Sequence, residues 1–240
     1  MWRKFLSANR LTAIGVLLAF TVLFSACRKN DNEIVNTPVA HLMAFNLAPD
    51  QQQLRFALSG NLLPGGSMAY SNFTGTYLNV FPGNRLIETF NPSTGQVIDS
   101  LPFTFQASKY YSVFAVGANG NYKNIVSEDN YDSLTASSGK SYVRYINAIP
   151  DSSASNVTIT AGGSNVVDNT ASFGQVSDFV GVNPGDITVS VNNESTVNAN
   201  RTISLQQHKA YTILLMGLPN HADSAKAVQI RFIENGTVTD

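Results

Sequence analysis

Three blocks of sequence occur twice in this chain, in the same order and at nearly the same spacing. The first pair is AHLMAFNLAPD, which starts at Ala40, and SYVRYINAIPD, which starts at Ser141. TYLNVFPGN and DFVGVNPGD form the second pair, and FTFQASKYYSVFAVG and ISLQQHKAYTILLMG form the third. The period of roughly 100 residues is far longer than that of a solenoid repeat, so each copy is expected to be a domain with its own core.

Within each copy the apolar residues recur with a period of two, which indicates strands. Leu54, Phe56 and Leu58 alternate with polar or small residues in the first copy. VFAVG and ILLMG are continuous apolar runs, typical of a central strand buried on both faces, and turn signals such as PGN and PGD separate the runs. The sequence therefore predicts an all-β protein with two tandem immunoglobulin-like or related β-sandwich domains, at residues 39–133 and 138–240.

A segment before the first copy predicts export and lipid attachment. Three basic residues precede an apolar run at residues 11–24, which is shorter than the roughly 20 residues that span a membrane. The run leads into LFSAC, in which Cys27 is the only cysteine of the chain. LFSAC resembles a bacterial lipobox, and this resemblance implies that residues 1–26 are a cleaved signal peptide and that Cys27 is acylated. Residues 27–38 would then carry the lipidated cysteine and a polar tether, and several acyl chains would make the anchor permanent.

Composition excludes some classes of function and of stabilisation. The formal net charge is -1 and charged residues make up 13% of the chain, against about 25% in a typical soluble domain. No basic surface for nucleic acid is expected from these values. Because the only cysteine belongs to the lipid signal, the domains have no disulfide and depend on apolar burial for stability.

Three features shared by both copies carry a family resemblance. They are an opening strand that ends in Asn-x-x-Pro-Asp, an aromatic residue a few positions before Pro-Gly, and a late strand that runs from Lys to Gly. The positions are residues 46–50, Tyr77 with Pro82 and Gly83, and residues 109–117 in the first copy, and residues 147–151, Phe179 with Pro184 and Gly185, and residues 209–217 in the second. This pattern resembles the bacterial domain of unknown function 4397, whose opening strand often holds an arginine, so that Arg144 matches and Met43 departs. The resemblance covers nearly all of the mature chain and implies an exported, β-rich, non-enzymatic module.

The recurring polar residues have structural interpretations. Pro49-Asp50 and Pro150-Asp151 are expected to define corners, because Pro presets φ and Asp accepts hydrogen bonds from turn amides. Tyr111 and Tyr211 each follow a lysine by two residues, and each is expected to tie its hydroxyl to nearby backbone as in a tyrosine corner. The acidic stretch SEDNYDS at residues 127–133 could offer oxygens to calcium, but it lacks the pattern of an EF-hand loop. A solvated linker between the domains is the favoured interpretation.

No catalytic, metal or cofactor site is predicted. The chain has no GxSxG nucleophile elbow, and its three histidines are not at metal-ligand spacing.

Two non-enzymatic hypotheses remain. One is a displayed adhesion or partner-binding module, and the other is an accessory glycan-binding protein of a polysaccharide-uptake system. The candidate binding residues are the tyrosines Tyr70, Tyr77, Tyr110 and Tyr122.

The expected location is the outer membrane, with the protein lipid-anchored and facing the cell exterior. Membrane lipid would be bound through acylated Cys27, and loops at one end of the sandwiches would recognise a polymer or a protein partner. A periplasm-facing structural protein or a hydrolase is the remaining alternative. Exposure of the tyrosine rings in a cleft would favour glycan binding, whereas burial would favour a scaffold.

Overall fold

A computed structural model of the protein describes residues 37–150 and 154–239. Cys27, the predicted signal peptide and most of the predicted tether lie outside the described residues. Asp151 of the second Pro-Asp pair lies outside them as well. Among the residues that are described, no helix has the length and apolar character needed to cross a membrane.

The first repeat consists of two β-sheets. Its strands are β1 (Ala40–Asn46), β2 (Gln53–Leu58), β3 (Asn61–Leu62), β4 (Met68–Ala69), β5 (Leu78–Val80), β6 (Gly83–Phe90), β7 (Val97–Phe105), β8 (Tyr110–Ala118) and β9 (Asn121–Glu128). One sheet has the order β5-β1-β8-β9, and the other has the order β3-β2-β6-β7 with β4 also paired to β2. Strands β1 and β8 are parallel, with Asn46 opposite Ala115.

The second repeat has the same plan. Two short 3-10 turns, Tyr131–Ser133 and Ala136–Ser138, lead into it. Its strands are β10 (Ser141–Asn147), β11 (Ser155–Ala161), β12 (Ser164–Ala171), β13 (Val180–Val182), β14 (Gly185–Asn192), β15 (Asn198–Leu205), β16 (Lys209–Met216) and β17 (Gln229–Thr237). The sheets have the orders β13-β10-β16-β17 and β12-β11-β14-β15, and β10 is parallel to β16. Two tandem β-sandwiches are therefore confirmed.

Three of the four apolar clusters in the described residues are cores between sheets, and the fourth is a small cluster around Leu134 and Val238. One core fills the first sandwich and another fills the second. A third core joins the repeats, because Met43, Phe45 and Phe114 of the first pack with Ile146 and Leu214 of the second. The prediction of central strands buried on both faces is confirmed in β8 and β16, since alternate side chains of each strand point into the strand's own sandwich and toward the other repeat.

Candidate binding cleft between the two repeats

The recurring asparagine of the first motif closes the turn that follows the opening strand. The side-chain amide of Asn46 donates to the carbonyl oxygens of Gln51 and Met68, both at 3.0 Å, and its Oδ1 accepts from the amide of Ala48 at 3.2 Å. In the second repeat the Oδ1 of Asn147 accepts from the backbone amide two residues later, at the same distance of 3.2 Å. This motif residue is therefore structural in both repeats.

The Pro-Asp corner is also structural, but its partners are distant in sequence. Oδ2 of Asp50 accepts hydrogen bonds from the backbone amide of Asn119 and from the hydroxyl of Tyr122, both at 2.7 Å. Asp50 thus ties its turn to the loop between β8 and β9 rather than to the amides that follow it. The sequence pattern indicated a turn correctly, but the tertiary fold decided which groups the carboxylate binds.

The tyrosine corners are confirmed in both repeats. The hydroxyl of Tyr111 accepts a hydrogen bond from the backbone amide of Gln106 at 3.1 Å, and the hydroxyl of Tyr211 accepts one from Gln206 at 3.1 Å. Each tyrosine is almost fully buried. In each repeat this hydrogen bond therefore holds the backbone just before the late central strand against its own sandwich.

A buried ion pair crosses between the repeats. Nη1 of Arg144 lies 2.6 Å from Oδ1 of Asp129, and the two side chains are 1% and 0% exposed. Arg144 also donates to the hydroxyls of Ser112 and Thr212, and its guanidinium stacks 4.6 Å from the centre of the Phe179 ring. The expectation that residues 127–133 form a solvated linker is wrong for Asp129, because the partner that buries this carboxylate comes from the other repeat.

The second repeat contains a neutral counterpart of this arrangement. Ser112 donates to Asp129 at 2.7 Å, and at the corresponding positions Thr212 donates to Asn235 at 2.7 Å. Met43 stands where the second repeat has Arg144, and it lies in the shared apolar core. The interface therefore contains one charged pair, Asp129 with Arg144, and one uncharged arrangement of Thr212 and Asn235 at the equivalent positions.

A cleft of about 890 Å³ opens beside this network, with residues from both repeats in its walls. Its aromatic lining consists of His41, Tyr77, Tyr110 and Tyr131. Its polar lining includes Asn235 and the hydroxyls of four threonines, Thr76, Thr135, Thr237 and Thr239. The volume lies within the roughly 300–1,000 Å³ of small-ligand sites.

Strand register brings the aromatic residues of the cleft together. His41 on β1 pairs with Tyr110 on β8, and their rings stack with centroids 4.4 Å apart. The ring of Tyr77 meets Tyr110 edge-on at 5.0 Å and meets Tyr131 edge-on at 5.9 Å. At these separations the rings contact one another directly, so they form a continuous aromatic wall. They leave no space between them for a cation enclosed by ring faces.

The polar groups that line the cleft, among the described residues, are either uncharged or paired with an opposite charge. Burial, and then the charge of Asp129, raise the pKa of Tyr77, whose hydroxyl donates to that carboxylate. Burial likewise raises the pKa of Tyr131, so both hydroxyls are protonated at neutral pH. Asp132 is the carboxylate of the lining, and its hydrogen bond to Lys109 raises the pKa of that lysine and balances the charge.

Two of the four tyrosines predicted from sequence meet in the cleft, and two do not. Tyr77 and Tyr110 are part of its aromatic wall. Tyr70 packs against the apolar core shared by the repeats, where burial raises the pKa of its hydroxyl. Tyr122 donates to Asp50 and accepts from the side chain of Gln51, so its hydroxyl has a structural role.

The residues of the cleft that the sequence did not predict include His41, Tyr131 and Asn235. His41 occurs in an otherwise apolar strand, and Tyr131 lies in the acidic stretch that resembled a linker. The alternation of β1 could have identified His41 as facing away from its own sandwich, because Ala40 and Leu42 face into it. No local signal connects Asn235 with Tyr77, although the two side chains contact each other at 3.4 Å across 158 residues.

The described residues contain no group of three or more His, Cys, Asp or Glu side chains arranged to hold a metal ion. No curated protein matches the chain. A family model, Domain of unknown function (DUF4397), matches residues 40–154 and again residues 141–237. These two matches together cover most of the chain, and each contains all the strands of one sandwich. The chain therefore belongs to the DUF4397 family and carries two tandem copies of its domain.

Proposed function

We propose that this protein is a non-catalytic binding module, anchored to the outer membrane through acylated Cys27 and displayed on the cell exterior. The observation that carries the proposal is the aromatic cleft at the junction of the repeats. The motif residues Asn46, Asp50 and Tyr111 are occupied by structural hydrogen bonds. In contrast, the exposed Thr76 and Thr239 and the partly exposed Tyr110 line the cleft with hydroxyls that have no hydrogen bond among the described residues. Recognition is therefore assigned to this cleft rather than to loops at one end of the sandwiches.

The interface between the repeats supports a binding role because it holds the two walls of the cleft in a fixed relation. The shared apolar core and the buried pair of Arg144 and Asp129 join the repeats. Lys123 adds a contact to the carbonyl oxygen of Phe173, and Arg231 donates to the hydroxyl of Ser71 at 2.7 Å. A cleft with preset walls loses little conformational entropy when a ligand binds.

The anchor and the display are tested on cells. Cys27→Ala is expected to release the protein from the membrane fraction and to remove the acyl mass from the mature chain. A protease added to intact cells is expected to degrade the wild-type protein. Survival of the protein on whole cells, followed by cleavage once the outer membrane is opened, would show that it faces the periplasm and would refute outward display.

The binding role is tested with the labelled full-length chain in detergent micelles. Envelope and extracellular polymer fractions of the source cells are incubated with wild-type protein, with Thr76→Arg and with Tyr122→Phe. Thr76 is an exposed residue of the cleft wall, so a large side chain there obstructs the cleft without changing a core. We expect wild type and Tyr122→Phe to be retained by a fraction and Thr76→Arg to be lost from it. Equal behaviour of all three proteins would refute recognition through the cleft.

A further inference from the structure

We infer that the cleft between the repeats takes a neutral, polyhydroxylated ligand, a sugar chain. This inference rests on the proposed binding role and specifies its ligand. It follows from three properties of the lining: its charge, the chemistry of its polar groups, and the arrangement of its aromatic rings.

Charge favours a neutral ligand. Asp132 is the carboxylate among the lining residues, and it is already paired with Lys109. The nearby carboxylate of Asp129 is paired with Arg144 and accepts hydrogen bonds from Tyr77 and Ser112. Among the lining residues that the structure describes, an acidic ligand would find no unpaired cation, and a basic ligand would have to compete with Lys109 for Asp132. The described charges of the lining are already paired, so an acidic or basic ligand has no electrostatic advantage over a neutral ligand.

The polar groups of the cleft are suited to hydroxyl partners. A hydroxyl both donates and accepts hydrogen bonds, and so does a side-chain amide. Within the part of the chain that is described, the side-chain hydroxyls of Tyr110, Thr76 and Thr239 line the cleft without a hydrogen bond to protein. The hydroxyl of Tyr131 is buried and has no partner among the described atoms, beside Gly236. The buried Tyr131 hydroxyl is out of a ligand's reach, but a ligand rich in hydroxyls can pair with Tyr110, Thr76 and Thr239 in either direction.

The aromatic wall supplies the apolar part of the match. A sugar ring has hydroxyls at its edge and C–H groups on its faces, so it is amphipathic in the same sense as tyrosine. The wall formed by His41, Tyr110, Tyr77 and Tyr131 is continuous and has polar groups at its margins. The rings contact one another, and this excludes a cage around an ammonium group. A proline-rich peptide also binds aromatic grooves, but its backbone offers mainly acceptors. It would therefore leave the acceptor capacity of the threonine hydroxyls unused.

The test is electrophoresis of the detergent-solubilised full-length chain in native gels that contain a polysaccharide. The neutral probes are laminarin, xyloglucan, yeast mannan and soluble starch; the charged probe is polygalacturonate, and the peptide probe is polyproline. We expect at least one neutral polysaccharide to retard the wild-type protein, and polygalacturonate and polyproline to leave its mobility unchanged. Tyr110→Ala removes one ring of the wall and is expected to weaken the binding about tenfold. Thr76→Arg is expected to abolish the retardation.

Two controls separate binding from folding. Tyr122→Phe changes a tyrosine outside the cleft and is expected to migrate like wild type. Tyr110→Phe retains the ring of the aromatic wall, so it replaces Tyr110→Ala if that variant does not fold. Retardation by none of the neutral polysaccharides, or equal retardation of wild type and Thr76→Arg, would overturn the assignment of a sugar. So would retardation by polyproline that Thr76→Arg abolishes.

Pretreatment of the cell fractions distinguishes failure of this inference from failure of the proposed binding role. Periodate cleaves the vicinal diols of sugars, whereas a protease removes protein partners. Retention that periodate abolishes and protease leaves intact supports the sugar chain. Retention with the opposite sensitivity keeps the binding role but rejects the sugar, and the absence of any cleft-dependent retention rejects both.

Discussion

Arg144→Met is the perturbation that most directly tests how the two repeats are joined. The chain itself provides the model for this change, because Met43 occupies the corresponding position of the first repeat. The substitution leaves the carboxylate of Asp129 buried without its cation. Asp129 keeps the hydrogen bonds from Tyr77 and Ser112, so it is not left without partners.

The magnitude follows from the geometry of the pair. At 2.6 Å and an effective dielectric constant of about 20, the attraction is roughly 6 kcal/mol before the cost of desolvation is subtracted. Removal of one partner from a buried pair destabilises proteins by about 3–5 kcal/mol, and the two remaining hydrogen bonds favour the lower end of that range. Addition of Asp129→Asn recreates the neutral arrangement of Thr212 and Asn235. The double variant is therefore expected to lose only about 1–2 kcal/mol.

The assay is equilibrium unfolding in urea of the compact unit Pro38–Asp240, followed by circular dichroism. Lys109→Met is a matched control, since it removes a cation from an exposed ion pair with Asp132 and should cost much less. The reasoning is refuted if Arg144→Met costs less than about 1 kcal/mol, or if the double variant loses as much as the two single losses added together.

Three further predictions concern the cleft, the central strands and the independence of the repeats. Burial and Asp129 raise the pKa of Tyr77 above its ordinary value of 10.0, so the folded state keeps a proton that the unfolded state releases. Stability is therefore expected to fall as pH rises above about 10, and Tyr77→Phe should reduce that slope by up to ~1.4 kcal/mol per pH unit in urea titrations; an unchanged slope contradicts this. Gly217 has a φ of +109°, and a Cβ there would lie 2.2 Å from the carbonyl oxygen of Ala227. Gly217→Ala should thus cost about 1–3 kcal/mol more than Gly185→Ala, where φ is also positive but a Cβ would have no atom of the described residues within 4 Å, and equal urea midpoints would refute it. Residues 37–133 produced alone should unfold cooperatively but expose their half of the shared core, so sedimentation should show concentration-dependent association; a monomer as stable as the whole unit would contradict this.

Much of the fold could be predicted because its signals are local. A period of two in Leu54, Phe56 and Leu58 identifies a half-buried strand without any knowledge of its neighbours. The continuous run of β8 indicated burial on both faces, and the spacing of Tyr111 indicated a corner. The candidate site was predicted only in part, because tyrosine is an amphipathic residue that packs in cores as readily as it lines a cleft. Tyr122 and Tyr77 have the same local pattern, yet only Tyr77 lies beside the second repeat.

The sequence by itself determined that the protein is a duplicated β-sandwich, because duplication and strand period are properties of neighbouring residues along the chain. Only the tertiary structure decided what covers the second face of each central strand. An apolar face shows that it must be buried, but it does not show whether a sheet of its own repeat or of the other repeat will cover it. Asp129 and Arg144, and Tyr77 and Asn235, became partners only when the two sheets packed face to face. The cleft exists because that packing joins residues whose separation along the chain leaves no pattern to detect.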